Sequence, residues 1–373
     1  MKAVEQKLGE QIPPPQIESV FRRFWRTIAG SDSSALLKAG TLNLVILSKD
    51  QSGVQAVQSL LPQIIAHHPG RIIVVSIDPS FPSAEMTATL YAFLQEFVEG
   101  HKLIVAEVVF LQTGLQGFER VSGAVLPLLL PDLPVFLWPA ARFDRLDESL
   151  KPLLRYVDRL VFKTEETYEK PKEIARVLEE ILDQSRHRSV IDLAWLRLAA
   201  WREATARLFD RPENLRQLAA LHEIEIYYSS GKPALAALYT AAWLAVSLQH
   251  SRLGGVERWN SVLHYRRGCT LPAITLKSLP GEGVEVQKIK FLGKQDEKSF
   301  ILTLAAEKDV FTTSLQFGGE ITAEYEFLHS RRCAGDLLCD ALDTVVQDEL
   351  YLQTCNHLLE FLHETANRNS VRT

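Results

Sequence analysis

VLPLLLPDLPVFLWP, from Val125 to Pro139, is an almost unbroken apolar run divided by Pro131-Asp132-Leu133-Pro134. Its first half closes a segment in which Leu115, Phe118 and Val121 recur at helical intervals, so a helix is expected over Leu115 to Leu130. Its second half, Val135 to Trp138, is short, continuous and bracketed by prolines. That pattern suits a strand buried on both faces, and strands of that kind belong to parallel sheets.

Working outward, the same grammar repeats. LNLVIL from Leu42, a helix from Val54 to Ala66, a turn at His67-His68-Pro69-Gly70 and the strand RIIVVSID make a βαβ unit. A helix over Ala84 to Val98, a strand from Ile104 to Leu111, a short helix at Leu150 to Tyr156, the strand RLVFKT and a charged helix from Glu165 to Leu182 continue it. Alternation of this kind implies an α/β fold, a Rossmann-like three-layer domain with a mostly parallel sheet. Upstream, IPPPQ reads as an extended arm. Val20, Phe21, Phe24, Trp25 and Ile28 then form a helical stripe expected to pack in its own chain's core.

Beyond Gly254-Gly255 the pattern changes to strict alternation: LPAITLKSL, VEVQKIKFL, SFILTLAA, VFTTSLQF and ITAEYEFL, with turns that include Pro280-Gly281 and Gly318-Gly319. This is an antiparallel meander, expected to be covered on one face by helices over Ala334 to Val346 and Asp348 to Glu364. The expected organisation is an arm and amphipathic helix at 1–30, the α/β domain at 31–252, a smaller α+β domain at 253–364 and a flexible tail at 365–373.

Composition narrows the function. The 373 residues carry a formal net charge of -5, so no global attraction draws the chain to phosphate backbones or anionic membranes, and nucleic acid and membrane are excluded as partners. No apolar stretch has the length of a membrane span or the form of a signal peptide, and a cytoplasmic protein is expected. Cys269, Cys333, Cys339 and Cys355 lack CxxC spacing, which leaves structural thiols.

Chemistry-bearing motifs are absent where such a fold invites them. After the first strand, SKDQSGVQAV has one glycine where a dinucleotide site needs GxGxxG and a P-loop needs GxxxxGK[ST]. His67 and His68 are adjacent and point apart. His357, Glu360 and Glu364 share a helical face but lack HExxH pairing, and there is no GxSxG elbow. No catalytic residue, cofactor or metal is therefore expected. The open alternative is an enzyme or sensor that takes a sugar phosphate at the carboxyl edge of the sheet, where α/β ligands bind.

The most individual stretch is DLAWLRLAAWREATARLF, Asp192 to Phe209. Asp192 suits a helix N-cap, and Trp195, Leu198 and Arg202 fall on one face with Trp201 beside it. Trp195 reads as core, whereas Trp201 reads equally as core or as docking surface. Asp192, Trp195, Trp201 and Arg202 are the candidate partner contacts.

With the strand IEIYYSSG and the helix ALAALYTAAWLAVSL that follow, this stretch resembles the glucose-6-phosphate dehydrogenase assembly protein family, OpcA. The resemblance extends back through VLPLLLPDLPVFLWP and VDRLVFKT and covers Leu42 to Leu248 best. It implies a non-catalytic accessory protein that binds glucose-6-phosphate dehydrogenase, promotes its active oligomer and supports NADPH production by the oxidative pentose phosphate pathway. The chain departs from the family pattern after Val135 to Trp138, where one tryptophan is followed by Pro139-Ala140-Ala141 rather than by paired tryptophans and a glycine.

Overall fold

The computed structural model describes residues 4–29, 40–48, 51–81, 85–98, 101–140, 146, 148–164, 170–229, 235–248, 264–265, 272–280, 285–295, 297–307, 310–328 and 332–371. In chain order the elements are β1 (Val4–Ile12), α1 (Ile17–Ala29), β2 (Leu42–Ser48), α2 (Gln51–His67), β3 (Gly70–Ile77), β4 (Thr87–Val98), β5 (His101–Thr113), α3 (Val121–Val125), β6 (Val135–Pro139), α4 (Lys151–Leu154) and β7 (Arg159–Phe162). There follow α5 (Pro171–Ser185), β8 (Ser189–Asp192), α6 (Leu193–Arg197), α7 (Ala199–Phe209), α8 (Pro212–Leu215), β9 (Leu221–Ser229), α9 (Leu235–Ser247), β10 (His264–Tyr265) and β11 (Ala273–Leu279). The chain closes with β12 (Val286–Gln295), β13 (Lys298–Glu307), β14 (Val310–Phe317), β15 (Glu320–Leu328), α10 (Ala334–Asp343) and α11 (Glu349–Val371).

The first compact unit comprises residues 1–163, 186–192 and 333–347. Its eight strands run in the order β1-β4-β5-β3-β2-β6-β7-β8, parallel from β5 to β8, with β4 and β1 added antiparallel at one edge. The mostly parallel α/β sheet is thus as the apolar runs require. β2 and β6 are buried along their whole length.

The side chains of Asn43, Arg71 and Asp158 hold the proline-divided run, and Asn43 is central among them. Asn43 of β2, fully buried, donates Nδ2 to the Leu130 carbonyl at 3.0 Å and accepts the Leu130 amide at 2.7 Å. The Leu130 amide and carbonyl are thereby satisfied where the helix gives way to the strand. The expected single helix over Leu115 to Leu130 is instead α3 flanked by 3-10 turns, because Pro127, Gly117 and Gly123 interrupt α-helical pairing.

Two further expectations change. Ala84 to Val98 is not a helix but contains β4, where Ala88, Leu90 and Ala92 are buried at every second position. The misreading is understandable, since Leu90, Phe93, Leu94 and Phe97 also satisfy a helical spacing. The arm before α1 contributes β1, paired with β4, so Val4–Ile12 joins the sheet rather than standing apart.

As expected, α1 packs its stripe in its own core, with Ile17, Val20 and Phe21 buried. Its fit depends on Arg71 of β3, 2% exposed, which pairs with Glu18 and with the equally buried Glu107. Arg71 also donates to the Leu128 carbonyl at 2.7 Å and lies over Phe21, while Trp25 Nε1 donates to Glu107 at 2.7 Å. Two carboxylates, a carbonyl and an aromatic face thus surround the guanidinium, as burying its charge demands.

The second unit comprises residues 164–185, 193–332 and 348–373. Its seven strands run β10-β11-β9-β12-β13-β14-β15. The meander β12 to β15 is antiparallel as expected, and Gly318 and Gly319 take φ of +62° and +95° in its last hairpin, a backbone region open to glycine. β9 enters between β11 and β12, parallel to the first and antiparallel to the second.

The division therefore differs from the expected 31–252 and 253–364. Residues 193–248, which carry α6 to α9 and β9, belong with the meander, and α10 belongs to the first unit, packed on α2 with Gln63 Nε2 donating to Asp336 at 2.7 Å. The expected boundary between residues 252 and 253 lies outside the described residues. α11 packs on α5 and α9 rather than on the meander, and its helix runs to Val371, through most of the expected flexible tail.

Candidate functional site

The Asp192 to Phe209 stretch is two helices, α6 and α7, with a break at Leu198. Asp192, 1% exposed, ends β8 and immediately precedes the first residue of α6, the position expected of an N-cap. Trp195 of α6 is buried, as expected, and its indole Nε1 donates to Asp348 at 2.7 Å. Tyr351 and Tyr239 pack on its ring at centroid distances of 5.4 and 6.3 Å.

Arg202 stacks over the same ring at 3.8 Å and donates to the Trp195 carbonyl at 2.8 Å. Burial pushes its guanidinium down to about 10, partly offset by Asp348, so it stays charged at neutral pH. This constellation of cation, indole, carboxylate and two phenols is an internal clamp between α6, α7 and α11. Trp201, with both readings open from the sequence, is buried edge-on against Phe311 of β14 at 4.8 Å. Of the four candidate contacts, Trp201 lines an open surface, and Asp192, Trp195 and Arg202 lie outside that lining.

That surface lies above Trp201. A cavity of about 570 Å³ opens between α6 and α7 on one side and β12, β14 and β15 on the other. Trp201, Phe311 and Phe327 supply its apolar wall, Leu328, 88% exposed, stands at its lip, and Arg197, Arg207, Arg332, Glu203 and Glu285 line it with charge. Its size falls in the range of sites that take a ligand or a large anchoring side chain. Sequence reasoning missed Phe311, Phe327 and Leu328, since in an alternating strand nothing distinguishes an aromatic that meets a cavity from one that meets the core.

At the carboxyl edge of the parallel sheet, a second cavity of about 170 Å³ is lined by Gln58 of α2, Ser76 of β3, Tyr91 of β4 and Gln112 of β5. Glu10 is the one charged residue among its lining residues. It is smaller than ordinary ligand pockets of about 300 Å³ or more, and a carboxylate repels a phosphate. Gly53 stands near the start of α2. Of the histidines, His67 Nδ1 donates to the Gln63 carbonyl at 2.9 Å, and His68 is buried 3.9 Å from Asp343, its pKa lowered by burial. His357 is buried in α11 with its pKa likewise lowered by burial. Among the described residues no group of three or more His, Cys, Asp or Glu side chains is placed to hold a metal ion, and no helix is long and apolar enough to cross a membrane.

Comparison with known proteins adds identity to this geometry. Residues 62–179 match the glucose-6-phosphate dehydrogenase subunit N-terminal domain, and residues 188–355 the C-terminal domain of the same subunit. A Synechocystis sp. protein named "Putative OxPP cycle protein OpcA" is 29% identical over 191 residues, 50% of this chain and 38% of its own. Proteins of the same name from Nostoc punctiforme and Synechococcus elongatus are 32% and 33% identical over 39% and 41% of this chain, and 31% and 32% of theirs. The matches thus span about a third of the length of these relatives. Among solved structures, the aldose-aldose oxidoreductase of Caulobacter crescentus complexed with glycerol covers 88% of this chain and 98% of its own at 12% identity, with a TM-score of 0.43. The two domain matches lie in order along the two halves of the chain, as the resemblance at VLPLLLPDLPVFLWP and DLAWLRLAAWREATARLF led one to expect, and the chain belongs to the OpcA family of glucose-6-phosphate dehydrogenase subunits.

Proposed function

We propose that the chain is a non-catalytic assembly factor that binds glucose-6-phosphate dehydrogenase in the cytoplasm, favours its active oligomer and so supports NADPH supply. The observation that carries this reading is the cavity above Trp201: an aromatic wall with arginines around it and an exposed leucine at its lip has the composition of a protein-binding hot spot. A rigid clamp of Trp195, Arg202 and Asp348 beneath it supplies preorganisation, which lowers the entropic cost of binding. The small, negatively lined cavity at the sheet's carboxyl edge argues against the sugar-phosphate alternative.

The test is purified dehydrogenase assayed with and without the chain, together with its oligomeric state. Activation and a shift to a larger species are expected. Loss of both effects in Arg207→Glu with Leu328→Ser, two exposed positions whose change leaves the core intact, places the contact at this cavity. No activation by the wild-type chain sinks the assembly role. Turnover of glucose 6-phosphate with NADP by the chain alone sinks its non-catalytic character.

A further inference from the structure

The register of the second unit's sheet fixes which side chains share its outer face. One cross-strand row runs Lys277, Tyr227, Lys288, Ala305, Thr312, Glu326, and the next runs Thr275, Glu225, Lys290, Thr303, Ser314, Glu324. The opposite face carries Ile224, Ile226, Ile289, Phe291, Leu302, Leu304 and Phe311, all buried, and α7 packs there through Trp201 on Phe311 and Phe209 on Phe291. The outer rows are partly exposed at Tyr227, Lys288, Lys290, Thr303, Thr312 and Ser314 and more so at Glu324 and Glu326.

The charges on this face are sorted. Lys277 is neutralised by Glu225, and the ammonium groups of Lys288 and Lys290 gather over the Tyr227 ring at 5.7 and 5.5 Å. Three strands away, Glu324 and Glu326 stand on β15. Lys290 also stands opposite Glu225 in the ladder, while among the described residues no ion pair holds Lys288, Glu324 or Glu326. Between the two columns lie only short side chains, Ala305, Thr303, Thr312 and Ser314.

We infer that this face is a self-complementary interface on which a second copy of the chain docks, sheet on sheet. The charge pattern selects the symmetry. A two-fold axis parallel to the strands and passing between β13 and β14 preserves each row and exchanges β12 with β15. Lys288 then faces Glu326 of the second copy, Lys290 faces its Glu324, and both pairs recur across the axis, as an isologous contact requires. An axis perpendicular to the strands would instead set β12 against β12, lysine on lysine. The short central residues let the sheets approach to about 10 Å while the longer lysines and glutamates close the flanks. This inference stands apart from the dehydrogenase cavity, which lies on the inner side.

Sedimentation velocity of the wild-type chain at low salt is expected to show a dimer that weakens as salt rises, since its pairs are only partly buried. Lys288→Glu with Lys290→Glu, and separately Glu324→Lys with Glu326→Lys, put like charges opposite one another and are expected to raise the dimer Kd by about 100-fold or more. Circular dichroism and thermal melting check that each variant folds. Mixing the two variants restores both sets of opposite charges and is expected to restore a dimer, as is the fourfold variant in which lysines and glutamates are exchanged. A wild-type chain still monomeric above about 100 µM overturns the inference. So does a dimer that both reversals leave intact, or two folded variants that fail to combine. If the reversals instead abolish dehydrogenase binding by a monomeric wild type, the face belongs to that partner and a second copy does not dock there.

Discussion

The two sheets solve opposite problems. The parallel sheet of the first unit is dry along β2, β3 and β6, and the charge it contains, Arg71, is surrounded by Glu107, Glu18, a carbonyl and an aromatic ring. The second unit's sheet is dry on one face only, and its charges sit half in water. Where both faces are buried, a polar side chain has to be satisfied by fixed partners. Where one face is wet, the same residue types are available for binding.

The largest effect that can break this contrast is expected at Arg71. Arg71→Ala strands the Glu107 carboxylate in the core and should cost about 3–5 kcal/mol in chemical denaturation, whereas Arg71→Met with Glu107→Leu should recover much of it. Losses below about 1 kcal/mol for Arg71→Ala would show that water reaches the site.

Next in size, Gly293→Ala in β12 puts a Cβ 2.1 Å from the Phe300 ring and 2.6 Å from the Ala220 carbonyl, on the packed face of the half-dry sheet. Overpacking of this kind costs about 1–3 kcal/mol, read as a lower melting temperature. A neutral result would mean that the inner face is looser than the first unit's core.

A smaller, pH-dependent effect compares the units through His68 and His357. Burial holds both below their ordinary value of about 6.5, countered by Asp343 at His68 and by Glu360 and Glu364 at His357. The folded state therefore binds fewer protons than the unfolded chain. Stability is fully present above about pH 6.5 and declines as pH falls from there through the depressed folded values. His357→Gln should flatten that decline in thermal melts between about pH 7.5 and pH 5.5, and an unchanged slope would assign the effect elsewhere.

The smallest effect is at the wet face. Lys277→Ala removes an ion pair with Glu225 in which the lysine side chain is 37% exposed, and should change stability by less than about 1 kcal/mol. A cost as large as that at Arg71 would erase the distinction between the sheets.

How much of this was legible beforehand follows from what local pattern encodes. β2, β3, β6 and β7 could be read because a strand dry on both faces writes itself as a continuous apolar run. The meander could be read because one wet face imposes a period of two. β4 could not, since its apolar residues fit both periods, and the break between α6 and α7 could not, since Leu198 is as good a helix former as its neighbours. At the candidate site, Trp195 was legible as core. The burial of Trp201 was not, because it depends on Phe311, which follows it by 110 positions and meets it only across the fold.

The sequence by itself determined the α/β class, the parallel character of the first sheet, the hairpins of the second and membership of the OpcA family, because each is written in contiguous residues. Only the tertiary structure decided that β9 joins the meander, that α10 leaves it for α2, and that Trp195 is enclosed by Tyr239, Tyr351 and Arg202 while Trp201 meets Phe311. Those outcomes depend on which buried face finds which partner across long separations, a competition between packings of similar local pattern that no single stretch of chain records.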